Sequence, residues 1–462
     1  MTKLDEVKAW LDTRLPELIE TYDVPAAAVA VSAGEETVEA AAGVLSLSTG
    51  VTATTDSVFQ IGSITKMWTA TMVMQLVEQG RVDLESPVRR YLPDFSVADA
   101  AATSAMTVRQ LLSHTAGFEG DIFTDTGPGD DALEKYVATL GDVEQLFPPG
   151  ERFSYNNAGY CVLGRLLEVV HGTTYDECLR SHLFAPLGLT HSATSAAEAI
   201  LFRAAVGHVR PEPDAEQQPA PIWNMARSNA PAGSILSMRA GDLIAFARVH
   251  LNSGRAANGA QVLRQDTVAQ MQQRQVELPR LRVMGDAWGL GWEIYDTPAG
   301  PVIGHDGTTI GQASFLRMVP ADDVAVVLLT NGGEAYPLYL EVVGHLLAEL
   351  SGTRLPPLPA PPHDPPRIDA SRYTGIYASR VADLVIEQDD DGRIWREIRP
   401  KGEFADMGES PTRVELVAYE DDMLIDKDGQ QGLHMPHAFI GSGDAPADYV
   451  HIGRVVPRAH GH

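Results

Sequence analysis

The stretch FQIGSITKMWTATMVMQLVEQGRVDLESPVRRYLP, residues 59–93, is the key to the rest of the chain. Residues 62–79 predict a helix, and Gly80 stands where a helix stop belongs. Near its start Ser63 and Lys66 are three residues apart, so they share one helical face and the ammonium lies beside the hydroxyl. A serine at a helix N-terminus sits in the positive end of the macrodipole, which favours its alkoxide. A lysine partly desolvated there has its pKa lowered, so its neutral form accepts the serine proton. In isolation, Ser-x-x-Lys also reads as a helix cap followed by a surface lysine.

Outward from this helix the chain divides into regions of different character. Residues 26–32 and 37–44 read as strands, and helical periodicity recurs over 107–112, 157–170, 175–183 and 240–251. Strands return at 292–295, 313–319 and 324–330, followed by a helix over 336–350. Strands flanking a helical block predict an α/β or α+β domain whose sheet joins its two ends. LPPLPAPPHDPP, residues 355–366, is a stiff proline-rich linker. Beyond it, short strands predominate, among them 373–377, 382–387, 393–398, 413–419 and 449–455, and they predict a small barrel or sandwich.

Composition narrows the function classes. With 462 residues the chain exceeds one ordinary core, and 44% hydrophobic against 21% charged residues is ordinary globular usage. Lys plus Arg total 35 against 62 Asp plus Glu, a formal charge of -27, which argues against a nucleic-acid partner. Residues 1–22 form an amphipathic helix rather than a signal peptide, and no apolar run is long enough for a membrane span. Cys161 and Cys178 read as reduced core thiols, and a cytoplasmic location is expected. His171, His182, His191 and the Asp130-Asp131 pair lack metal-ligand spacing, and no glycine-rich phosphate loop opens a helix. Neither metal nor cofactor is expected.

Two further elements could complete a serine-based site. In Tyr155-Asn156-Asn157, the phenol can relay protons, and the Asn157 amide can hold a substrate carbonyl or orient Lys66. Alternatively, the pair is a capping asparagine beside a packed tyrosine. In His305-Asp306-Gly307, the glycine lets a substrate backbone approach a strand edge. The Thr308 N–H can then complete an oxyanion hole with the Ser63 N–H.

Ser-x-x-Lys at 63–66, Tyr-x-Asn at 155–157 and His-x-Gly at 305–307, in that order, resemble the motif set of the serine β-lactamase and penicillin-binding-protein superfamily. The stretch 59–93 resembles its class C β-lactamase branch. So do MTVRQLLSHTAGF (106–118), FSYNNAGYCVLGRLLEVVHGTTY (153–175), FAPLGLTHS (184–192) and GHDGTTIGQASFLRMVP (304–320). The resemblance spans about residues 24–350. It implies an α/β (α+β) β-lactamase-like transpeptidase fold over residues 1–354, a proline-rich linker over 355–367 and an all-β lipocalin-like barrel over 368–462. It further implies Ser63 as nucleophile, Lys66 as its base, Tyr155 as proton shuttle and His305 as a catalytic strand residue. Asn157, Asp306 and Gly307 become substrate-side groups, and Ser63 and Thr308 the oxyanion hole.

One departure selects among branches. β-Lactamases and cell-wall peptidases usually carry Lys-Thr-Gly where this chain has His-Asp-Gly, and a histidine supplies that charge only when protonated. His-x-Gly more closely resembles two other branches, the D-stereospecific aminopeptidases and amidases and the penicillin-binding-protein-type thioesterases. The latter are stand-alone cyclases of nonribosomal peptides that also carry a lipocalin-like barrel. The leading expectation is head-to-tail macrocyclisation of a peptide or peptidyl thioester with a D-residue at its acyl end, presented by a peptidyl carrier protein. The alternative is a D-stereospecific aminopeptidase, amidase or esterase, and a β-lactamase or D-Ala-D-Ala carboxypeptidase ranks lower. Arg454, in YVHIGRVVPR, is the candidate for gripping a peptide carboxylate or backbone, or else an arginine that closes the barrel. His114 is expected to pack or cap locally, Trp288 to Trp292 to wall the site, and His460 and His462 to be tail.

Overall fold

The computed structural model describes residues 2–459 except 213, 214, 403, 404, 406–409, 431 and 444, so His460 and His462 lie outside the described residues. Helix α1 (Lys3–Thr21) opens on a capping box between Thr2 and Asp5 and buries Leu4, Val7, Leu11, Leu15 and Leu18 along one face. Strands β1 (Ala26–Ala33) and β2 (Glu36–Gly43) form a hairpin. The helical block then supplies α2 (Thr65–Glu78), α3 (Asn157–His171) and α4 (Ala240–Leu251). Next come β3 (Glu293–Thr297), β4 (Gly300–Thr309), β5 (Gln312–Val319), β6 (Val324–Thr330) and α5 (Ala335–Ser351).

The sheet runs β2-β1-β6-β5-β4-β3, and the short strands Ala287–Trp288 and Val276–Glu277 extend it past β3. The pairing of β1 with β6, Ala27 opposite Thr330, joins the two ends of the domain as the strand pattern predicts. Every residue of β6 is buried, since helices cover both faces. The two-residue period sorts its side chains: Val327 and Leu329 enter the core with α2 and α4, whereas Val326 and Leu328 face α1 and α5.

His305, Asp306 and Gly307 lie inside β4 and precede β5, the strand expected over 313–319. One expectation needs correction: the helix expected over 175–183 changes to a π-turn at Arg180–Phe184.

After the prolines, β7 (Gly375–Ala378), β8 (Ala382–Gln388), β9 (Ile394–Pro400), β10 (Thr412–Ala418), β11 (Met423–Asp426), β12 (Pro436–Ile440), β13 (Tyr449–His451) and β14 (Val455–Pro457) form one antiparallel sheet in sequence order. A bridge from Tyr377 to Arg458 brings the last strand back to the first, giving a nearly closed barrel around Leu384, Ile386, Leu416, Leu424 and Phe439. The single strand expected over 449–455 is in fact a hairpin that turns at Ile452, Gly453 and Arg454. The barrel-closing arginine is Arg458, which donates to the Thr374 carbonyl at 2.5 Å and the Tyr377 hydroxyl at 2.6 Å. Arg454 is thus not the residue that closes the barrel. Both cysteines are buried free thiols, as expected. Among the described residues no helix is long and apolar enough to cross a membrane.

Candidate active site

Ser63 sits in a 3-10 turn, Gly62–Ile64, that runs directly into α2. Gly62 adopts φ +51°, and a Cβ there would fall 2.6 Å from the Thr308 amide. Opposite it on β4, a Cβ on Gly307 would fall 2.0 Å from the Ile61 carbonyl. These two glycines bring Ser63 and the Thr308 N–H together, the approach an oxyanion hole requires. The glycine of His-x-Gly therefore clears space for the turn that carries Ser63.

Helix α2 is buried almost all round, so Lys66, one turn after Ser63, lies in a dry interior with 0% exposure. Its Nζ donates to the Ala232 carbonyl at 2.6 Å and to Ser63 Oγ at 3.1 Å. Burial lowers its pKa from 10.5 to about 7, which makes a neutral amine available at physiological pH. The Tyr155 hydroxyl hydrogen-bonds the Ser63 side chain, and the Tyr155 ring centre is 4.7 Å from Lys66 Nζ. Burial holds the phenol pKa far above its usual value, so Tyr155 keeps its proton.

The Tyr-x-Asn segment divides the two roles left open for it. Asn156 is the cap, its side chain accepting from the Gly159 N–H at 2.6 Å at the start of α3. That leaves Asn157 to donate to Asp121 Oδ1 at 2.7 Å. His114, with φ +56°, accepts from the Asn156 N–H at 2.9 Å and stacks on Tyr155 at 4.4 Å. Its local packing thus forms the back of Tyr155. Trp288 meets the rings of His305 and Tyr155 edge-on from behind, while Trp292 packs on His250; neither lines the cavity that holds Ser63, where a wall was expected.

The barrel closes the site. Gly453 O accepts from the Tyr155 N–H at 3.1 Å, the Val455 N–H donates to Ser154 Oγ at 3.1 Å, and His451 Nε2 bonds the Phe153 carbonyl at 3.0 Å. The hairpin turn thereby carries Arg454 to 5.0 Å over the Tyr155 ring, with its Nε paired to Asp121 Oδ2. Burial works against the guanidinium charge, but Asp121 holds its pKa above the usual value. Asp121 was missed in the sequence, because no spacing rule ties residue 121 to residues 157 and 454. One carboxylate orients the motif amide and anchors the barrel's arginine. Asp121→Asn should lower kcat/KM for a peptide substrate about tenfold or more, mainly through KM, the scale of a charged hydrogen bond. Steady-state kinetics checks this, and an unchanged KM would remove Asp121 from the binding apparatus.

Ser63, Tyr155, His305, Thr308, Met284, Met435, Ile452 and Arg454 line a cavity of about 170 Å³. A larger one, about 530 Å³, lies at the end of α1 between Asp23 and Arg210, away from the nucleophile. Burial, with Lys66 nearby, lowers the His305 pKa to about 3, so its imidazole is neutral and brings no charge for a carboxylate. Among the described residues lining the cavity, Arg454 carries the permanent positive charge. The Asp306 carboxylate, expected on the substrate side, is engaged by Arg317 at 2.6 and 3.1 Å. No group of three or more His, Cys, Asp or Glu among the described residues could hold a metal.

Comparison with known proteins bears on the family and the fold. The β-lactamase family model matches residues 11–342. Penicillin-binding protein 4 of Amycolatopsis lactamdurans is 44% identical over 366 residues, covering 79% of this chain and 96% of that protein. The crystal structure of SurE with D-Leu superposes with a TM-score of 0.75 at 30% identity over 99% of both chains, barrel included. The D-amino acid amidase of Ochrobactrum anthropi SV3 shares the fold, with a TM-score of 0.60 at 23% identity over 75% of this chain and 99% of its own.

Proposed function

The chain belongs to the β-lactamase family of serine hydrolases, and on that footing we propose that it is a peptide acyltransferase. In this reading Ser63 takes a peptidyl group with a D-residue at its acyl end from a thioester. It then passes that group to the peptide's own terminal amine, releasing a ring. The observation that carries this reading is the roof: the barrel hairpin sets Ile452 and Arg454 over the cavity that holds Ser63. A roofed, partly apolar cavity disfavours water as the acceptor. The similarity to SurE over both domains, in a structure containing D-Leu, supports a D-configured acyl residue.

Neutral Lys66 takes the Ser63 proton as Oγ attacks the thioester carbonyl. The tetrahedral oxyanion faces the Ser63 and Thr308 amides. The C–S bond breaks, and the thiol leaves with a proton relayed through Tyr155. The peptide amine then attacks the ester and loses a proton to the same relay. The C–O bond breaks and Ser63 regains its proton. Arg454 Nε is held by Asp121, which leaves its terminal nitrogens for peptide oxygens. A carrier protein presenting the thioester, in the cytoplasm, completes the proposal.

A serine-directed acylating probe should add one label by intact mass, lost in Ser63→Ala. A linear peptide thioester mimic ending in a D-residue should yield mainly ring. Dominant linear acid, or equal turnover of simple D-amino-acid amides, would instead make the protein a D-stereospecific peptidase or amidase.

A further inference from the structure

Behind His305 lies a buried polar cage that the acyl-transfer steps above leave unused. Glu293 on β3 is 2% exposed, His305 on β4 1% and Arg317 on β5 1%, so three strands contribute to one dry cluster. Glu293 Oε2 accepts from the Tyr295 hydroxyl at 2.7 Å, and that hydroxyl accepts from Arg317 Nη2 at 2.8 Å. Arg317 grips Asp306 with both terminal nitrogens, and the Asp306 N–H donates to Glu293 Oε1 at 3.4 Å. This closes a ring of four residues, through the Asp306 backbone, at the strand that carries His305. The same Oε1 lies 3.6 Å from His305 Nδ1.

The imidazole is thereby fixed in orientation and in tautomer. His305 Nδ1 lies 2.5 Å from the Asp306 carbonyl, which can only accept, so Nδ1 carries the proton. Nε2 is then a bare acceptor, buried and without a hydrogen-bond partner, in a side chain that lines the Ser63 cavity. We propose that Glu293 is a positioning residue for His305: with Tyr295 and the Arg317–Asp306 pair, it keeps Nε2 an open acceptor at the reacting centre, ready for a substrate N–H or the incoming amine. This inference rests on the acyl-enzyme reading above.

The charge count gives the cage a second consequence. It holds one guanidinium and two carboxyl groups, so it is neutral when it keeps one proton. Burial, with Asp306 nearby, raises Glu293 to about 8 and places that proton on it at neutral pH. The charged and titratable neighbours are Tyr295 on its own strand, His305 and Asp306 on β4, Arg317 on β5, Tyr336 and Tyr339 on α5, and Lys66 on α2. Ionised Glu293 would draw the Nδ1 proton of His305 away from the Asp306 carbonyl and disturb the ring's orientation, and it would raise the pKa of Lys66. Both effects act against turnover above about pH 8.

The test is the pH profile of Ser63 acylation by a fluorophosphonate probe, followed by intact mass in wild type, Glu293→Gln and Tyr295→Phe. Wild type should rise through about pH 7 and fall again above about pH 8. Glu293→Gln should keep the rise and lose the fall. Tyr295→Phe removes a donor to the ionised carboxylate and should move the fall upward by about half a unit or more, even if the glutamine variant folds poorly. Identical falling limbs in all folded variants would overturn the positioning role while leaving the acyl-enzyme intact. Failure of wild type to label at Ser63 would overturn the acyl-enzyme reading first, and this inference with it.

Discussion

Lys66→Ala should slow acylation of Ser63 by about 10²-fold or more, the usual scale for losing a proton-transfer group. The expectation follows from where α2 places the amine. Lys66 is fully buried 3.1 Å from Ser63 Oγ, and burial brings its pKa from 10.5 to about 7. At about 1.4 kcal/mol per pH unit, this is a preference of about 5 kcal/mol for the neutral amine over its behaviour in water. The sign of the pH dependence is therefore set. Below pH 7 the ammonium has no lone pair to offer, and above it the base is free, so the wild-type rate should climb through that value. Time-resolved mass spectrometry of the adduct measures both effects. A flat profile between about pH 6 and 8, or near-wild-type labelling by Lys66→Ala, would show that another group takes the serine proton.

Tyr155→Phe should also cost about 10²-fold, with a different signature. The ring that stacks on His114 and lies under Lys66 and Arg454 is retained, so only the hydroxyl bonded to Ser63 is lost. Because its pKa lies far above neutrality, Tyr155 works as a protonated relay, and the shape of the pH profile should persist in the variant while its height falls. The defect should also depend on the leaving group. An acidic thiol needs little protonation as it departs, whereas an amine needs a full proton. Comparing an activated thioester with the matching amide checks this, and an equal defect on both would place Tyr155 outside proton transfer.

The sheet was legible because its strands follow simple periods. The run VAVVLLT (324–330) is short and apolar up to Thr330, and the structure makes it a central strand covered on both faces. The helix after Ser63 was equally plain from its periodicity and the Gly80 stop. By contrast, the hairpin at 449–457 was hidden, because residues 449–455 read as one strand until pairing bends it at Gly453. The Glu293 cage was hidden for a related reason. Its members are unremarkable alone and meet only through the registers of β3, β4 and β5.

The sequence alone determined the chemistry on one helix face, since a spacing of three in a helix fixes the neighbour of Ser63 whatever the rest of the chain does. It also marked the break at the proline-rich segment, because prolines cannot donate to a ladder or continue a helix. Only the tertiary structure decided that Lys66 is dry, that Asp121 joins Asn157 to Arg454, and that the second domain roofs Ser63. Burial and charge pairing of this kind depend on distances between residues far apart in the chain, and no local pattern encodes those distances.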